Sequence, residues 1–267
     1  MENHSIEVIT STKNQRIQQI RELLSKKSAR DEVALFVTEG IRLCEEAIAS
    51  STLPEIVVFC EPLPERGIKL VEKAGELGCK LIKITPNVLE TLSDTTTSQG
   101  IMMVMPIVTA ELPKKADLIV ILDQLRDPGN MGTILRTADA AGVQAVICTP
   151  GSVDPFSSKV VRSAMGAHFH LPIVRLGWPQ ILEYREHQKN KFKLLLTDSE
   201  KGTTLWEKDL TSPIAFIIGG EADGASEEAR NAADEFIRIP MPGKTESLNA
   251  AVAAGAVLYE IIRQRSR

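Results

Sequence analysis

The chain has 267 residues, of which 43% are hydrophobic and 25% charged, with a net charge of −4. This length and hydrophobic content can bury a sizeable core and favour two domains over one. The acidic balance argues against a protein that coats nucleic acid indiscriminately. No apolar stretch approaches the roughly 18 residues of a membrane span, and residues 1–10 lack the features of a signal peptide. We therefore expect a cytoplasmic protein with no membrane partner.

The first part of the chain, residues 1–107, alternates helix-like and strand-like segments and predicts a small α/β domain. The predicted segments are a helix through Leu24, a strand at 34–37, a helix at 40–49, a strand at 55–60, a helix at 69–77, a strand at 80–84, a helix after Pro86 and a strand at 101–106. Residues 108–117 show no periodicity and are the predicted linker.

A basic stretch lies near the start of this part. Six basic residues and one acidic residue fall between Lys13 and Arg30. The pattern predicts phosphate contacts by Lys26, Lys27 and Arg30. The alternative is a solvated helix face, because apolar residues recur here at helical spacing.

Residues 118–267 predict a second α/β domain. It begins with the apolar run Leu118–Leu122, which is typical of a parallel strand buried on both faces. The later predicted strands lie at 145–148, 170–174, 193–197, 214–218 and 236–239, and the predicted helices begin at Asn130 or span 158–165, 179–188 and 247–263. The alanine-rich last helix favours either a dimer contact or close packing on its own sheet.

Metal-binding and redox patterns are weak. The four cysteines are scattered without a CxxC pair, which predicts buried free thiols. His168 and His170 alternate across a probable strand and would share one of its faces, but no third ligand is spaced near them. The sequence therefore predicts no metal site.

Three polar, glycine-bearing loops each follow a strand-like run in the second domain. They are residues 127–132 with Arg136, residues 219–224, and residues 240–243 leading into Ser247, Leu248 and Asn249. Ligands bind at strand ends in α/β sheets, and loops with little side-chain bulk let backbone groups reach a ligand. The inventory suits an adenosine-like group held by main chain while an arginine clamps an anion.

Two nucleotide-binding patterns fail on spacing. The glycines at 219, 220 and 224 do not form the G-x-G-x-x-G of a dinucleotide fold, and Gly243-Lys244-Thr245 lacks the earlier glycine of a phosphate loop. A Ser-His-acid hydrolase is also unsupported, because no G-x-S-x-G elbow occurs.

Purely structural roles remain possible for the polar residues of the loops. Arg136 can form a surface ion pair. Glu221 can bind the N-terminus of a helix near Ser226. Ser247 can serve only as the N-cap of the last helix.

The three loops, in this order, resemble the signature motifs of the SpoU (TrmH) family of RNA ribose 2′-O-methyltransferases, in the SPOUT superfamily. The matching patterns are Asn130-x-Gly132-x-x-x-Arg136-Thr137-Ala138, Gly220-Glu221-x-x-Gly224, and Ile239-Pro240-Met241-x-Gly243-x-x-x-Ser247-Leu248-Asn249. The segment 158–167 is similar to the family's stretch between the first two motifs. Val37–Gly40 and Gln99–Ile101 are similar to its N-terminal substrate-binding domain.

The resemblance implies a SPOUT methyltransferase domain with a trefoil knot at 118–267 and an L30e-like α/β domain at 1–107. The usual connection rules would argue against a knot. The resemblance further implies S-adenosylmethionine as cofactor, a homodimer through the knot domain and no metal. The implied cofactor-binding residues are Thr197, Gly219, Gly220, Ile239, Met241, Ser247 and Leu248.

The resemblance also implies roles in methyl transfer. Arg136 would activate the hydroxyl, and clamping the adjacent phosphate is the easier role because a guanidinium does not lose its proton. Asn130 would orient Arg136 and the ribose, Glu221 and Ser247 would organise the loops, and Asn249 would hold the third motif against the first. The predicted RNA contacts are Lys26, Lys27, Arg30, Lys159 and Arg162.

The expected substrate is a folded RNA, since only 4% of residues are aromatic and stacking on long single strands needs more. Ribosomal RNA is favoured over transfer RNA, because transfer-RNA members of the family often lack the N-terminal domain. The competing hypothesis is a non-catalytic RNA-binding or ribosome-assembly protein with the same fold.

Overall fold

A computed structural model describes residues 6–50, 52–93, 97–221 and 223–266. These residues form two compact units. The first contains the described residues up to Val108 and the segment Phe156–Phe169; the second contains Thr109–Pro155 and the described residues from His170 onward. Residues 156–169 thus group with the first unit, although they lie inside the predicted second domain. None of the helices in the described ranges is long and apolar enough to cross a membrane.

The first unit is built on a five-stranded mixed sheet. Its strands are β1 (Glu7–Ile9), β2 (Leu35–Glu39), β3 (Ile56–Phe59), β4 (Lys80–Ile84) and β5 (Ile101–Pro106), in the order β1-β4-β3-β5-β2. Strand β5 is antiparallel to β2 and β3, and the other pairs are parallel. The helices of this part are α1 (Gln15–Ser25), α2 (Lys27–Val33), α3 (Ile41–Ala49), α4 (Glu65–Glu76) and α5 (Pro86–Glu90). The α/β prediction for this part is confirmed, while β1 and the separate helix α2 were not predicted.

Helix α1 buries the apolar stripe that its sequence predicts. Ile17, Ile20 and Leu23 are at most 5% exposed and pack in one core cluster with residues of β4 and β5. Helix α2 then ends at Ala34, whose φ of 53° reverses the chain into β2. This left-handed residue is an alanine, which is why no glycine signalled the boundary.

Arg30 corrects one prediction. It belongs to α2, is only 3% exposed, and donates hydrogen bonds to the carbonyl oxygens of Leu23 and Leu24. These carbonyls lie in the last turn of α1, where helix carbonyls lack intrahelical partners. Arg30 therefore stabilises the junction of two helices and is not part of an exposed basic face.

The second unit carries a seven-stranded sheet in which every described pair is parallel. Its strands are β6 (Leu118–Asp123), β7 (Ala145–Cys148), β8 (Ile173–Arg175), β9 (Lys193–Thr197), β10 (Thr203–Thr204), β11 (Ile214–Gly219) and β12 (Glu235–Arg238), in the order β10-β12-β9-β11-β6-β7-β8. The helices in this stretch of the chain are α6 (Pro128–Ala140), α7 (Ser158–Ala164, in the first unit), α8 (Trp178–Glu186), α9 (Glu227–Ala232) and α10 (Ala250–Arg265). The predicted parallel sheet is confirmed.

The strand order places a switch point between β6 and β11. From β6 the chain moves outward through β7 and β8, and then returns to form β9, β11 and β12 on the other side. Asp123 at the end of β6 pairs in register with Gly219 at the end of β11. Ligands bind at such carboxyl-terminal switch points in open α/β sheets. The first two glycine-bearing loops leave the sheet at this point.

Two predicted boundaries in the second part of the chain are wrong. Residues 167–169 form a 3-10 helix and β8 begins only at Ile173, so His168 and His170 do not share a strand face. Gly166, with φ of 104°, makes the turn that separates this segment from α7. The last helix begins at Ala250 instead of Ser247, because Asn249 caps it.

Candidate active site

A cavity of about 800 Å³ opens at the carboxyl ends of β9 and β11. Its walls come from the loops that follow β9, β11 and β12. Every residue predicted to bind the cofactor lines this cavity: Thr197, Gly219, Gly220, Ile239, Met241, Ser247 and Leu248. Because these residues are spread over more than fifty positions of sequence, the parallel sheet brings them together. Ligand cavities in proteins have about this size, roughly 300–1,000 Å³.

The glycines of the second loop are required by chain packing. A Cβ on Gly219 would lie 2.4 Å from the backbone nitrogen of Ala225, and a Cβ on Gly220 would lie 2.6 Å from the carbonyl oxygen of Gln124. Neither distance accommodates a carbon atom. The loop therefore folds back on itself and against the end of β6. Ala222 of this loop sequence lies outside the described residues.

Three predicted catalytic residues form one hydrogen-bonded chain. The Asn130 side-chain nitrogen donates to Glu221 Oε1 at 2.8 Å, and the Asn249 side-chain nitrogen donates to Asn130 Oδ1, also at 2.8 Å. Asn249 Oδ1 in turn accepts from the backbone nitrogens of Ala251 and Val252 and caps α10. The carboxylate can only accept, so it fixes the orientation of both amides. The chain joins the first, second and third loops.

Glu221 is held as an anion by this arrangement. Partial burial acts to raise its pKa, but hydrogen bonds from the Asn130 side chain and from backbone N–H groups, including those of Arg126 and Asp127, outweigh burial. The pKa of Glu221 therefore lies below its ordinary value of 4.5. Hydrogen bonds to the charged form have this effect in general. Glu221 organises the first loop as an ionised acceptor at neutral pH.

Two features of the first loop favour the start of α6, an N-cap and an early proline. The Asp127 side chain accepts from the backbone nitrogen of Asn130 at 2.7 Å, and Pro128 occupies the first turn of α6. An acidic N-cap and an early proline are both favoured at helix starts. They place Asn130 in the first turn, where its side chain reaches Glu221.

Asp123 is a supporting residue that sequence reasoning missed. It is 1% exposed and accepts hydrogen bonds from Thr149 Oγ1, Trp178 Nε1 and the backbone nitrogen of Ser226. A buried carboxylate needs such partners. The bond to Ser226 fixes the end of the second loop to the end of β6. The available signal was a carboxylate that ends an otherwise apolar strand.

Asp198 and Arg230 form a second missed pair beside the cavity, which both residues line. Their side chains are joined at 2.9 Å, and Asp198 Oδ1 also accepts from the backbone nitrogens of Glu200 and Lys201. Burial acts to raise the pKa of Asp198, but the backbone and Arg230 hydrogen bonds lower it below its ordinary value. The pair holds the loop after β9 in shape.

Arg136 and Ser247 lie outside the hydrogen-bonded chain Asn130–Glu221–Asn249. Arg136 is exposed, does not line the cavity, and forms no hydrogen bond or ion pair within the described ranges. The surface ion pair considered as its alternative is therefore absent there. Ser247 lines the cavity and is exposed, but it does not cap α10, because Asn249 does.

The alternative for Glu221 is also wrong. Ser226 itself caps α9, accepting from the backbone nitrogen of Ala229. Glu221 instead binds the residues that open α6.

The predicted RNA contacts all belong to the first unit. Lys27 and Lys159 are exposed and form no ion pair within the described part of the chain. Lys26 is exposed but pairs with Glu22 one helical turn earlier, and Arg162 lies 3.8 Å from Glu39. Two of the remaining four basic side chains are thus available for phosphates without breaking an ion pair.

The cysteines and acidic groups show no metal chemistry in the residues that the structure describes. No group of three His, Cys, Asp or Glu residues there could hold a metal ion. All four cysteines are buried free thiols, as predicted. Burial raises the pKa of Cys44 and of Cys148 to about 12, so these thiols stay protonated and unreactive at neutral pH.

The chain is similar to several known proteins over nearly its whole length. RlmP of Bacillus subtilis, a 23S rRNA (guanosine(2553)-2′-O)-methyltransferase, is 33% identical over 254 residues, covering 95% of this chain and 98% of RlmP. An AdoMet-bound rRNA methyltransferase from Sinorhizobium meliloti superimposes with a TM-score of 0.85 at 28% identity, covering 97% of this chain and 98% of the other. The SpoU methyltransferase AviRb from Streptomyces viridochromogenes, in complex with AdoMet, gives 0.84 at 30% identity, covering 95% and 99%.

Two family descriptions match separate parts of the sequence. Residues 14–103 match the MRM3-like substrate binding domain, and residues 117–259 match the SpoU rRNA Methylase family. The second match covers the three loops and the Asn130–Glu221–Asn249 chain, and it confirms the resemblance of the motifs. The protein therefore belongs to the SpoU rRNA methylase family.

Proposed function

We propose that this protein transfers a methyl group from S-adenosylmethionine to the ribose 2′-hydroxyl of a nucleotide in structured RNA, most specifically ribosomal RNA. The observation that carries the proposal is the hydrogen-bonded chain Asn130–Glu221–Asn249 beside a cavity lined by all seven expected cofactor residues. Relatives that match over nearly the full length are named as rRNA 2′-O-methyltransferases, and two similar crystal structures hold AdoMet.

The cavity fits the cofactor in size and charge. Its volume of about 800 Å³ suits a nucleoside with an amino-acid tail. Four acidic residues line it: Asp198, Glu200, Glu221 and Glu246. Of these, Asp198 is paired with Arg230. Acidic side chains favour a ligand that carries a sulfonium and an ammonium group. When bound, S-adenosylmethionine supplies an electrophilic methyl group on sulfur.

The side chains of this protein position the acceptor. An in-line displacement requires the ribose oxygen to be held on the axis of the breaking sulfur–carbon bond. The guanidinium of Arg136 offers N–H donors and no acceptor, and its exposed side chain can clamp an RNA phosphate bidentately. Asn130 is occupied by Glu221 and Asn249, so it holds the loops in register.

Glu221 is a poor general base at neutral pH. A base works best with a pKa near the working pH, whereas hydrogen bonds hold the pKa of Glu221 below 4.5. We therefore assign Glu221 the role of an organising anion. The proton of the 2′-hydroxyl leaves to solvent as the new carbon–oxygen bond forms and the sulfonium becomes a thioether.

Further parts of the proposal concern the assembly. A homodimer is supported by two exposed apolar side chains on α10, Val252 and Tyr259, which are 57% and 56% exposed. They lie seven positions apart and so fall on one helix face. The first unit would bind RNA through Lys27 and Lys159, and the protein would act in the cytoplasm. The trefoil knot implied by the resemblance remains a prediction.

Two measurements test the function. Calorimetry with S-adenosylmethionine should show binding in the micromolar range, and a protein without such affinity would instead be the non-catalytic RNA-binding protein. Mapping of 2′-O-methyl groups in ribosomal and transfer RNA, from cells with and without the protein, should reveal one ribosomal position that depends on it. A dependent position found only in transfer RNA would overturn the choice of ribosomal RNA.

A further inference from the structure

We infer that a second, smaller cavity beside the cofactor cavity binds a base of the substrate RNA, and that it selects a base carrying an exocyclic amino group. The inference rests on the proposed function, because it adds an RNA subsite to the same loops. The cavity measures about 360 Å³ and lies between the segment Gln124–Pro128 after β6 and the second loop. It is lined by Gln124, Arg126, Asp127, Pro128, Gly220, Glu221, Asp223 and Gly224.

The position of the cavity fits an acceptor subsite. Gly220, Glu221 and Gly224 line both this cavity and the cofactor cavity, so a single loop separates the two. The cofactor cavity lies at the carboxyl ends of β9 and β11, and the smaller cavity lies beside the segment that follows β6. A nucleotide whose base enters the smaller cavity would keep its sugar and phosphate at the rim, close to the Asn130–Glu221–Asn249 chain.

The charges of the lining exclude a phosphate as the occupant. Three acidic residues, Asp127, Glu221 and Asp223, and one basic residue, Arg126, line the cavity. Arg126 is already paired with Asp223 at 3.2 Å. An anion would be repelled by this set, whereas a neutral ring with N–H donors would be attracted. Adenine, guanine and cytosine carry an exocyclic amino group that donates hydrogen bonds, whereas uracil has no amino group and offers only its ring N–H.

The shape of the lining suits a flat ring. Pro128, Gly220 and Gly224 present a ring and two bare backbone segments, with no polar side chain. Protein recognition of RNA sequence commonly targets unstacked bases that are inserted into such slots. The backbone of Gly220 cannot carry a side chain here, because its Cβ would collide with Gln124.

Gln124 is the residue placed to read the base edge. Its φ of 55° is unusual for a residue that is not glycine, and its side chain packs beside Gly151, where an added Cβ would lie 3.3 Å from Gln124 Cγ. The side-chain amide of Gln124 can both donate and accept, and this side chain forms no hydrogen bond with another described residue. Non-glycine residues with left-handed backbone occur often at binding sites, and Gln124 combines such a backbone with a place in the cavity wall.

The test uses nucleosides in place of the unidentified RNA. Amide resonances of the isotopically labelled protein, saturated with S-adenosylhomocysteine so that the cofactor cavity is filled, are followed during titration with cytidine, uridine or ribose. Cytidine and uridine differ at the amino group, and ribose lacks a base. We expect cytidine to shift the amides of Arg126, Gly220, Asp223 and Gly224 saturably, with at least fivefold higher affinity than uridine, and ribose to cause no saturable shift.

Two variants and one control locate the site. Gln124→Gly removes the amide and suits the positive φ, and Asp223→Asn removes one acceptor charge without changing size. Each should weaken cytidine at least fivefold while leaving the affinity for S-adenosylhomocysteine within twofold. Glu228→Gln removes an exposed charge on α9 outside the cavity and should change neither affinity.

The outcomes are decisive in each direction. No saturable cytidine shift, an equal response to ribose, or unchanged cytidine affinity in both variants overturns the base subsite. Equal affinity for cytidine and uridine overturns the selection of an amino group. Failure of S-adenosylhomocysteine to bind counts against the proposed function. This binding is measured before any nucleoside is added, so the two results are separate.

Discussion

The side-chain nitrogen of Asn249 donates to the side-chain oxygen of Asn130 at 2.8 Å, across 119 positions of sequence. The same Asn249 side chain caps α10 through the backbone nitrogen of Ala251 at 2.9 Å. One residue thus fixes the start of the last helix and ties it to the helix that carries Arg136. The third loop, which walls the cofactor cavity, ends at this residue.

Asn249→Ala should lower both stability and cofactor affinity. The variant loses an N-cap, at a cost of about 0.5–2 kcal/mol, and a hydrogen bond that contributes about 1 kcal/mol. Asn249→Ser is the matched comparison, because serine caps a helix equally well but is too short to reach Asn130. Stability in urea unfolding and affinity for S-adenosylmethionine in calorimetry should both be highest for the wild type, lower for Asn249→Ser and lowest for Asn249→Ala. Identical unfolding midpoints and affinities for all three proteins would contradict the linking role.

Arg136→Ala should abolish methyl transfer while leaving the protein folded. Removal of one charged group that stabilises a transition state costs roughly a hundredfold to a thousandfold in rate. The side chain is exposed and forms no hydrogen bond or ion pair within the described residues, so unfolding free energy should change by less than about 0.5 kcal/mol. Incorporation of labelled methyl into RNA and calorimetry with the cofactor separate the two effects. A variant with near-normal turnover would remove Arg136 from the mechanism.

The clustering of the site was predictable because of sheet geometry. Loops that follow parallel strands emerge at one edge, so motifs after β6, β11 and β12 had to meet there. The side-chain pairs within the cluster were harder to predict from the sequence. Asp198 and Arg230 lie 32 positions apart on different elements, and their pairing depends on the strand order. The burial of Arg30 likewise depends on a break between two helices at Lys26, which the uninterrupted helical pattern conceals.

The sequence also could not show why the second loop requires its glycines. Small residues there predict close approach of backbone to a ligand, whereas Gly219 and Gly220 approach other backbone of the same chain. Both explanations require glycine, so the pattern alone cannot separate them. Only the three-dimensional distances from Ala225 and Gln124 do so.

Gly219→Ala and Gly220→Ala should therefore destabilise the fold itself. Each new Cβ would meet backbone at 2.4 or 2.6 Å, which forces the loop to shift, and overpacking of this kind typically costs about 1–3 kcal/mol. Gly243→Ala in the third loop is the control, since nothing lies within 4 Å of the added carbon. Thermal unfolding without cofactor should show lower midpoints for the first two variants only. If all three midpoints match the wild type, the steric argument is wrong.

Glu221→Gln should lose stability in a manner that depends on pH. The folded pKa of Glu221 is depressed below 4.5, so the ionised carboxylate stabilises the native state at pH above that value. This contribution is lost as pH falls through the depressed folded pKa, where the native carboxylate becomes protonated. The difference in unfolding free energy between wild type and variant should be constant from neutral pH down to about 5 and shrink in more acidic buffer. A difference that grows on acidification would contradict the depressed pKa.

The basic residues near the N-terminus should separate into RNA contacts and a structural residue. The double variant Lys26→Ala, Lys27→Ala should bind purified ribosomal RNA more weakly, with a slope of log affinity against log salt reduced by about 0.7–0.9 for each lost phosphate contact. Its stability should be unchanged, because Lys26 contributes only an exposed ion pair with Glu22. Arg30→Ala should instead lower the unfolding free energy by about 1–3 kcal/mol, since it leaves carbonyls at the end of α1 without a donor. Filter binding over a salt series and urea unfolding measure the two effects, and an Arg30 variant of full stability with a reduced salt slope would return this residue to the RNA-binding face.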